Sequence, residues 1–188
     1  MGIVLTTDRL VLRQFTMADE DNVVDLDSDP DVMRYINGGR ATPRDRVRTV
    51  HLPGWMSYYT SNPGYGFWAA EADGEFIGCV NLRPPAGHPT DEPELGYRLR
   101  KSAWGKGYAT EISRALVDRA FTDRGARRVY ADAVIVNTAS RRVLEKAGLT
   151  FVRTFHTPGE ELDEVEYAIT RAEWLATRSS EERRCTSS

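Results

Sequence analysis

Two glycines separated by one residue stand in the segment WGKGYA, residues 104–109, where backbone groups rather than side chains could do chemistry. The segment joins a strand-like run that begins at Glu94 to a helix-like run that continues to about Arg124. It therefore brings several N–H groups without partners to the positive end of a helix, where anions bind. We predict an anion site with a pyrophosphate group as its natural ligand, although a plain strand-to-helix turn explains this glycine pair at least as well.

The elements on either side of this turn decide what it can hold. In the strand before it the side chains alternate between two faces. Leu95, Tyr97 and Leu99 lie on one face, and Glu94, Gly96 and Arg98 lie on the other. The helix after it has apolar residues at every third or fourth position and ends at Gly125. The turn lacks the third glycine of the dinucleotide fingerprint and the Gly-Lys-Ser/Thr ending of a P-loop, so it matches neither motif.

Further strand-like and helix-like runs predict the rest of the fold. The strand-like runs are residues 10–15, 66–72, 75–82, 94–99, 127–136, 149–155 and 163–170. Asp73-Gly74 between two of them is a strong hairpin signal. Helical runs follow the first strand, the glycine turn and Asn137, which caps the last of them. This order predicts an α/β (α+β) protein with a mixed, mostly antiparallel sheet of about seven strands and helices on both faces.

Length and composition indicate one ordinary domain. The chain has 188 residues, of which 40% are hydrophobic and 28% are charged, which is typical of a globular protein of this size. We expect a single domain over residues 1–176. The remaining stretch, residues 177–188, has no apolar period, and we expect a disordered C-terminal tail there.

Charge and residue usage exclude several partners. A formal net charge of -3 with scattered basic residues argues against nucleic-acid binding. No apolar stretch approaches the roughly 20 residues that span a bilayer, so we expect no membrane association. Cys79 and Cys185 are placed too differently to form a disulfide, which favours a cytoplasmic location. His51, His88 and His156 lack metal-ligand spacing, so we expect no metal and only surface or structural roles for them.

Two longer motifs carry a resemblance to a known family. The stretch ELGYRLRKSAWGKGYATE (94–111), followed by NTASRRVLEKAGLTFV (137–152), resembles the acyl-CoA-binding core of the GNAT superfamily of N-acyltransferases. The consensus turn of that family is Gln or Arg, two residues, Gly, one residue, and then Gly or Ala. Here Trp104 takes the first place, and Gly107 and Ala109 take the others.

The variant with tryptophan in the first place resembles the RimJ/RimL-type branch, which includes ribosomal-protein alanine N-acetyltransferases. The segments TDRLVLRQF (7–15) and DPDVMRYINGG (29–39) are similar to that branch too. The likeness covers about Thr7 to Arg171, nearly the whole expected domain.

The resemblance implies acetyl-CoA as co-substrate and a sheet that is splayed at its centre. Backbone amides of the turn would hold the coenzyme A pyrophosphate, and the end of the preceding strand would pair with the pantetheine arm and polarise the thioester carbonyl. The start of the next helix would bind the pantetheine or acceptor side and place a hydroxyl near the sulfur. The residues that inherit these roles are Leu99, Arg100, Trp104, Gly105, Lys106, Gly107, Tyr108, Ala109, Thr110, Asn137 and Ser140.

The chemistry of amine acylation requires few side chains. A neutral amine must attack a polarised thioester carbonyl, and the departing thiolate must receive a proton. An α-amine with a pKa of about 7.8 loses its proton at pH 7 for about 1 kcal/mol, whereas a lysine amine with a pKa of about 10.4 requires about 4.6 kcal/mol. A weak base therefore suffices for an N-terminus.

Glu94 is our candidate for that base, because it begins the central strand and points to the face opposite Leu95 and Tyr97. A solvated carboxylate at a strand end is an equally good interpretation. Ser140 is the candidate hydrogen-bond donor to the thiol, although a serine here can simply satisfy the first helical turn. Many family members carry a tyrosine seven residues after the asparagine as general acid, but this chain has Leu144 there. Ser140 or solvent must then serve the thiolate.

We expect an acetyl-CoA-dependent N-acetyltransferase that acts on a primary amine, with a protein or peptide N-terminus as the first choice. One alternative is a small-molecule acceptor such as an antibiotic or polyamine, and another is a non-catalytic acyl-CoA sensor. The acidic segments 91–94 and 159–166 hint at a cationic acceptor, although solvated loops explain them better. The resemblance is also compatible with a homodimer.

Overall fold

A sheet of eight strands runs through the computed structural model, which describes residues 2–159 and 161–185. The strands are β1 Ile3–Thr6, β2 Leu10–Gln14, β3 Gly66–Ala72, β4 Glu75–Arg83, β5 Glu94–Leu99, β6 Arg128–Val134, β7 Thr150–Phe155 and β8 Glu164–Thr170. They lie in the order β1-β2-β3-β4-β5-β6-β8-β7, and every neighbouring pair except β5 and β6 is antiparallel. The predicted mixed sheet is confirmed. It has one more strand than expected, because four residues at an edge are too short to show a period.

The sheet splays between β5 and β6. β5 pairs with β4 along its whole length, whereas it meets β6 at one residue pair, Glu94 and Tyr130. Both strands run in the same direction from that pair, so they diverge toward their C-terminal ends. We call the gap between them the V cleft, with Glu94 and Tyr130 at its apex. The loops that follow β5 and β6 lie at its open end, and the predicted central splay is confirmed.

Helices cover both faces of the sheet, as predicted. They are α1 Glu20–Ser28, α2 Pro30–Asn37, α3 Arg44–Arg46, α4 Leu52–Ser61, α5 Tyr108–Thr122, α6 Thr138–Lys146 and α7 Arg171–Cys185. One hydrophobic core contains Ile112 of α5 and Trp68 of β3, and the other contains Leu26 of α1 and Ala69 of β3. Neighbouring residues of β3 thus enter opposite cores, as the alternation of a strand requires. Among the described helices, none is long and apolar enough to cross a bilayer.

Two local sequence signals lie at Asp73-Gly74 and at Pro53. Asp73 and Gly74 have φ values of 52° and 79°, which the two-residue turn between β3 and β4 requires. Pro53 lies in the first turn of α4, directly after the π-helical turn Val47–His51. A proline inside the helical run from Pro43 to about Thr60 predicts a break or kink at Pro53. The wider turn accommodates the missing N–H and the proline ring, so the helical path continues instead.

Ion pairs tie the α1–α2 region to the end of β5. Arg98 contacts Asp27 of α1 at 2.7 Å, and the Asp27 side chain is only 1% exposed. Lys101, just beyond β5, contacts Asp31 of α2 at 2.6 Å. These contacts fix the helices that lie behind the V cleft relative to the strand that forms its wall.

The C-terminal residues differ from our expectation of a disordered tail from Thr177 onward. α7 continues through this stretch, and residues 186–188 lie outside the described residues. Arg178 contacts Asp118 of α5 at 3.2 Å, and hydroxyl groups in the stretch donate to carbonyls one turn earlier. These polar contacts support a helix that has no apolar stripe, and the stripe is the signal on which the sequence prediction depended.

Candidate active site

The turn between β5 and α5 presents an uncapped helix end. Gly105 and Gly107 have φ values of 75° and 82°, a left-handed conformation that side chains disfavour, which explains the glycine pair. Gly107 is the N-cap residue of α5, and no side chain accepts a hydrogen bond from the first turn there. The N–H groups of Tyr108, Ala109 and Thr110 therefore lack intrahelical partners. Residues 105–107 are exposed, so an anion can reach this turn at the open end of the V cleft.

Trp104 fixes the turn to the end of β5. Its indole N–H donates to the Leu99 carbonyl at 2.8 Å, and its backbone N–H donates to the Lys101 carbonyl at 3.1 Å. The Trp104 amide is thus already engaged, although the sequence prediction included it among the pyrophosphate donors. Its contacts assign it the task of holding the turn, and the amides from Gly105 onward remain available.

The β1–β2 hairpin supports the other side of the turn. Arg9 donates to the Glu111 carboxylate at 2.7 Å and to the Lys106 carbonyl at 3.0 Å, and Thr7 donates to Glu111 at 2.6 Å. Burial opposes ionisation of Glu111, but these hydrogen bonds together lower its pKa, and a negative charge suits the first turn of a helix. The sequence prediction missed this support, because Arg9 and Glu111 are 102 residues apart in the chain.

The backbone amides of β5 that face the V cleft are those of Tyr97 and Leu99, whereas the sequence prediction named Leu99 and Arg100. The Arg100 N–H donates to the Ile77 carbonyl of β4 at 2.8 Å and so points away from the cleft. Because backbone groups alternate in direction along an antiparallel pair, the groups that face β6 belong to Leu95, Tyr97 and Leu99. The Leu99 carbonyl already accepts from Trp104. The Arg100 amide is therefore unavailable to a pantetheine arm, while the Tyr97 and Leu99 amides face the cleft.

The start of α6 forms the other wall at the open end. The Asn137 side chain accepts a hydrogen bond from the Ser140 N–H at 3.1 Å, so Asn137 caps this helix as predicted. The Ser140 hydroxyl lies 3.0 Å from the Tyr97 hydroxyl, which also donates to the Ser140 carbonyl at 3.2 Å. Tyr97 comes from β5, so these contacts bridge the two walls of the cleft. The sequence prediction placed Ser140 here but assigned Tyr97 only to a strand face.

Glu94 lies at the apex, half-buried, with Arg83 of β4 as its ion-pair partner at 3.3 Å. Burial raises the pKa of Glu94, and Glu164 raises it further, against the opposing effects of Arg83 and His88. The carboxylate is therefore a better proton acceptor than a solvated glutamate. This environment suits a general base, and it differs from the solvated strand end that was the alternative interpretation.

Asp132 is a second carboxylate at the apex, which the sequence prediction missed. It follows Tyr130 by two residues on β6 and so lies on the same face as Tyr130 and Glu94. Its side chain is exposed on that face of the sheet. Partial loss of solvation to the surrounding protein first, and then the negative charges of Glu166, Glu94 and Glu164, raise the pKa of Asp132 to about 7. The only signal in the sequence is a single acidic residue within the run VYADAV, residues 129–134.

Most of the acidic residues near the apex are neutralised by arginines. Glu92 contacts both Arg127 and Arg128, and Glu166 contacts Arg128 and Arg153. Asp132 has no such partner among the described residues. All three acidic residues of the segment 91–94 thus contact arginines. In the described part of the segment 159–166, Glu166 contacts arginines, and Glu164 has no arginine or lysine partner.

His88 lies closer to the site than its isolated position in the sequence indicated. Its ring stacks on Tyr130 with 6.0 Å between centroids, and its charge when protonated lowers the pKa of Glu94. Within residues 2–159 and 161–185, no group of three or more His, Cys, Asp or Glu side chains could hold a metal ion. The site therefore offers backbone amides, two carboxylates and a hydroxyl pair as its chemical groups.

The candidate site is thus a cleft in a splayed sheet, with an uncapped helix end at its open side. The profile of the family described as acetyltransferase (GNAT) domain matches residues 9–150. The chain is 40% identical over 176 residues to the FsC-acetyl coenzyme A-N(2)-transacetylase of Aspergillus fumigatus, covering 87% of this chain and 71% of that protein. The chain belongs to the GNAT acetyltransferase family and is an acetyl-CoA-dependent N-acetyltransferase.

Solved structures agree with this assignment. A GNAT-family acetyltransferase from Bacillus anthracis has a TM-score of 0.74 and 28% identity, with 92% of this chain and 99% of that chain covered. RimL, a ribosomal L7/L12 α-N-protein acetyltransferase solved with coenzyme A, has a TM-score of 0.75 and 19% identity, over 90% and 98% of the two chains. The aminoglycoside acetyltransferase AAC(6')-Ib with ribostamycin and coenzyme A has a TM-score of 0.77 and 24% identity, over 91% and 98%. The last two show the shared fold alone.

Proposed function

We propose that this N-acetyltransferase acetylates an α-amine, as at the N-terminus of a peptide, and that the amine reaches the thioester from the apex of the V cleft. The proposal rests on the pair of carboxylates there, Glu94 and Asp132, whose pKa values are both raised. A base works best when its pKa lies near the working pH. A carboxylate with a pKa of about 7 is well matched to an α-amine with a pKa of about 7.8.

The donor fits the length of the cleft. Pyrophosphate oxygens accept hydrogen bonds from the free amides at residues 105–110, and the pantetheine arm extends along β5. From Leu99 back to Glu94 the strand rises by about 17 Å, at about 3.3 Å per residue. The arm between pyrophosphate and sulfur has about twelve bonds and spans about 15 Å when extended. Because the pyrophosphate lies beyond Leu99, the arm ends before it reaches Glu94. The thioester then lies beside Tyr97, within reach of the Ser140 hydroxyl that borders the cleft, with the Leu99 amide along the path of the arm.

The reaction follows from this placement. The amine nitrogen attacks the carbonyl carbon, so a C–N bond forms and the C–S bond breaks. The proton lost by nitrogen passes to Glu94 or Asp132, directly or through a water molecule. The departing thiolate accepts a hydrogen bond from the Ser140 hydroxyl and takes its proton from solvent. No metal is required for any of these steps.

An α-amine suits this site better than a polycation. A polycationic acceptor requires several unpaired carboxylates, but Glu92 and Glu166 are bound to arginines. A lysine amine requires about 4.6 kcal/mol to lose its proton at pH 7, against about 1 kcal/mol for an α-amine. Two weak carboxylate bases match the smaller of these requirements.

A non-protein amine is the second candidate acceptor. The observation that favours it is the relative with 40% identity, whose name specifies an N(2) position of FsC rather than a ribosomal protein. The amine chemistry at the apex is the same for both candidates. They differ in what surrounds the amine, so a panel of acceptors separates them.

The test combines coenzyme A binding with thiol release. Thermal unfolding with and without acetyl-CoA should show stabilisation of about 2.7 kcal/mol at 100 times the dissociation constant. Thiol release is then measured against N-terminal peptides, amino-acid amides, spermidine and aminoglycosides. We expect release with α-amines and little with spermidine. Release with spermidine or aminoglycosides alone would overturn the α-amine assignment.

Substitution of the base separates an enzyme from an acyl-CoA sensor. Glu94→Gln should lower kcat/KM for the amine about 100-fold and leave acetyl-CoA binding unchanged. Glu75→Gln, at the exposed start of β4, is the matched control and should retain full activity. Acetyl-CoA binding without thiol release from any amine would show that the chain is a sensor.

A further inference from the structure

A pair of hydroxyl groups joins the two walls of the V cleft near its open end. The Tyr97 hydroxyl on β5 lies 3.0 Å from the Ser140 hydroxyl and 3.2 Å from the Ser140 carbonyl on α6. Both residues are partly buried. β5 and β6 pair at their apex alone, so this contact is a direct link between β5 and the element that follows β6.

The hydrogen-bond capacities of these groups allow two arrangements. Each hydroxyl has one proton to donate. In the first arrangement Tyr97 donates to the Ser140 carbonyl, and the Ser140 hydroxyl donates to the Tyr97 oxygen. In the second, Tyr97 donates to the Ser140 hydroxyl oxygen, and the serine proton is free to point into the cleft. The second arrangement also polarises the serine hydroxyl, because hydrogen bonds in a chain strengthen one another.

The departing thiolate needs such a donor in this chain. The position seven residues after Asn137 holds Leu144, which is 1% exposed and has no proton to donate. In the proposed site the sulfur leaves from the part of the cleft that Ser140 borders. A serine hydroxyl on a helix rotates freely unless a neighbour fixes it, so its direction toward the sulfur depends on what it bonds to.

We propose that Tyr97 is a positioning residue, which holds the Ser140 hydroxyl in the orientation that donates a hydrogen bond to the departing thiolate. This inference rests on the proposed placement of acetyl-CoA in the V cleft. Neither hydroxyl gives up its proton. The nitrogen proton goes to the apex carboxylates and the thiolate is protonated by solvent, so the reaction balances without a proton from Tyr97.

The protonation state of Tyr97 supports this role. Burial raises the pKa of Tyr97 to about 12, and the hydrogen bond with Ser140 opposes this only in part. A thiol has a pKa of about 8.5, so proton transfer from Tyr97 to the thiolate is unfavourable. Tyr97 is therefore a permanent hydrogen-bond donor at any pH where the enzyme works, and its contribution should not change between pH 6 and pH 9.

A double-mutant cycle tests the proposal with the amine that gives the fastest thiol release. Tyr97→Phe keeps the ring and removes the hydroxyl, and we expect a fall in kcat of about tenfold, the value of one hydrogen bond of about 1.4 kcal/mol. Ser140→Ala should lose at least as much. The double variant should lose no more than Ser140→Ala alone, because the tyrosine acts through the serine. The KM for acetyl-CoA should stay within about twofold in all three.

The controls exclude a general effect on folding. Tyr58→Phe removes a hydroxyl that also donates to a backbone carbonyl at 3.2 Å, that of Pro84, and it should leave kcat unchanged. Ser140→Thr keeps the hydroxyl and should retain most of the wild-type rate, but only when Tyr97 is present.

Three results would overturn the proposal. They are a wild-type kcat for Tyr97→Phe, losses that add independently in the double variant, and a loss of acetyl-CoA affinity as large as the loss of kcat. If the wild-type protein is active and any of these results is found, the role of Tyr97 is rejected and the proposed function still stands. A wild-type protein that binds acetyl-CoA but releases no thiol with any amine would reject both.

Discussion

The pKa of Asp132 leads to a pH dependence that a single substitution should remove. With a pKa of about 7, the carboxylate is about 10% ionised at pH 6, about 50% at pH 7 and about 90% at pH 8. The shift is upward, so the neutral form predominates below pH 7 and the charged form, which accepts a proton, increases as the pH rises. A step that requires ionised Asp132 should therefore become about tenfold faster between pH 6 and pH 8.

The substitution is Asp132→Asn, which keeps the size of the side chain and removes its charge. The quantity to measure is kcat/KM for the amine, by thiol release, for both proteins from pH 6 to pH 9. Both proteins share the ionisation of the amine, so the ratio of wild type to variant cancels it at each pH. We expect this ratio to rise about tenfold from pH 6 to pH 8 and to level off above pH 8.

Asp73→Asn is the matched control, because it removes a charge in the exposed β3–β4 turn, where asparagine is equally suited. The ratio of wild-type kcat/KM to Asp73→Asn kcat/KM should stay constant from pH 6 to pH 9. A flat ratio for Asp132→Asn would refute the assigned role, and so would a variant as active as wild type at pH 8. If the pH dependence survives in Asp132→Asn and disappears in Glu94→Gln, it belongs to Glu94.

Three further predictions follow from the geometry. Gly107→Ala and Gly125→Ala each place a side chain at a positive φ, 82° and 64°. A Cβ at Gly107 would make only an ordinary contact, 3.5 Å from Arg9, and a Cβ at Gly125 would have no neighbour within 4 Å. Both variants should lose about 1 kcal/mol of unfolding free energy, but only Gly107→Ala should weaken coenzyme A binding, as calorimetric titration would show. Arg98→Met leaves the buried Asp27 carboxylate of α1 without its partner, so it should lower the free energy of unfolding by about 3–5 kcal/mol in a denaturant titration. Arg48→Met breaks an exposed ion pair, so in the same titration the loss should be less than about 1 kcal/mol. Because the folded pKa of Asp132 lies above its unfolded value, its charge disfavours the native state increasingly as the pH rises toward 7. Asp132→Asn should therefore raise the unfolding midpoint more at pH 8 than at pH 5, and an equal rise at both would contradict the shift.

Local features of the site were predictable from the sequence. The glycine pair indicated backbone in a conformation that side chains disfavour, and Gly105 and Gly107 both have positive φ. Asn137 has the side chain of an N-cap residue and acts as one. The alternation of β5 placed Glu94 on the face opposite Tyr97. Each of these inferences depends on residues close together in the chain, where propensity and periodicity are informative.

The parts that could not be predicted depend on residues far apart in the chain. The pKa of Asp132 depends on burial and on three carboxylates from β5 and β8. The contact between Tyr97 and Ser140 joins residues 43 positions apart. Sequence periodicity gives the face of a strand but not its neighbours across a splayed sheet. The polar contacts of Arg178 with α5, which support the last helix, escaped prediction for the same reason.

The most direct test of the account is amide hydrogen exchange, measured by NMR, with coenzyme A and with pantetheine alone. We predict that coenzyme A slows exchange at residues 105–110 and at Tyr97 and Leu99, because the pyrophosphate occupies the α5 end while the arm follows β5. Pantetheine has no pyrophosphate, so at saturation it should protect Tyr97 and Leu99 and leave residues 105–110 unchanged. Unchanged exchange at residues 105–110 with saturating coenzyme A would contradict the central claim that this uncapped helix end holds the donor.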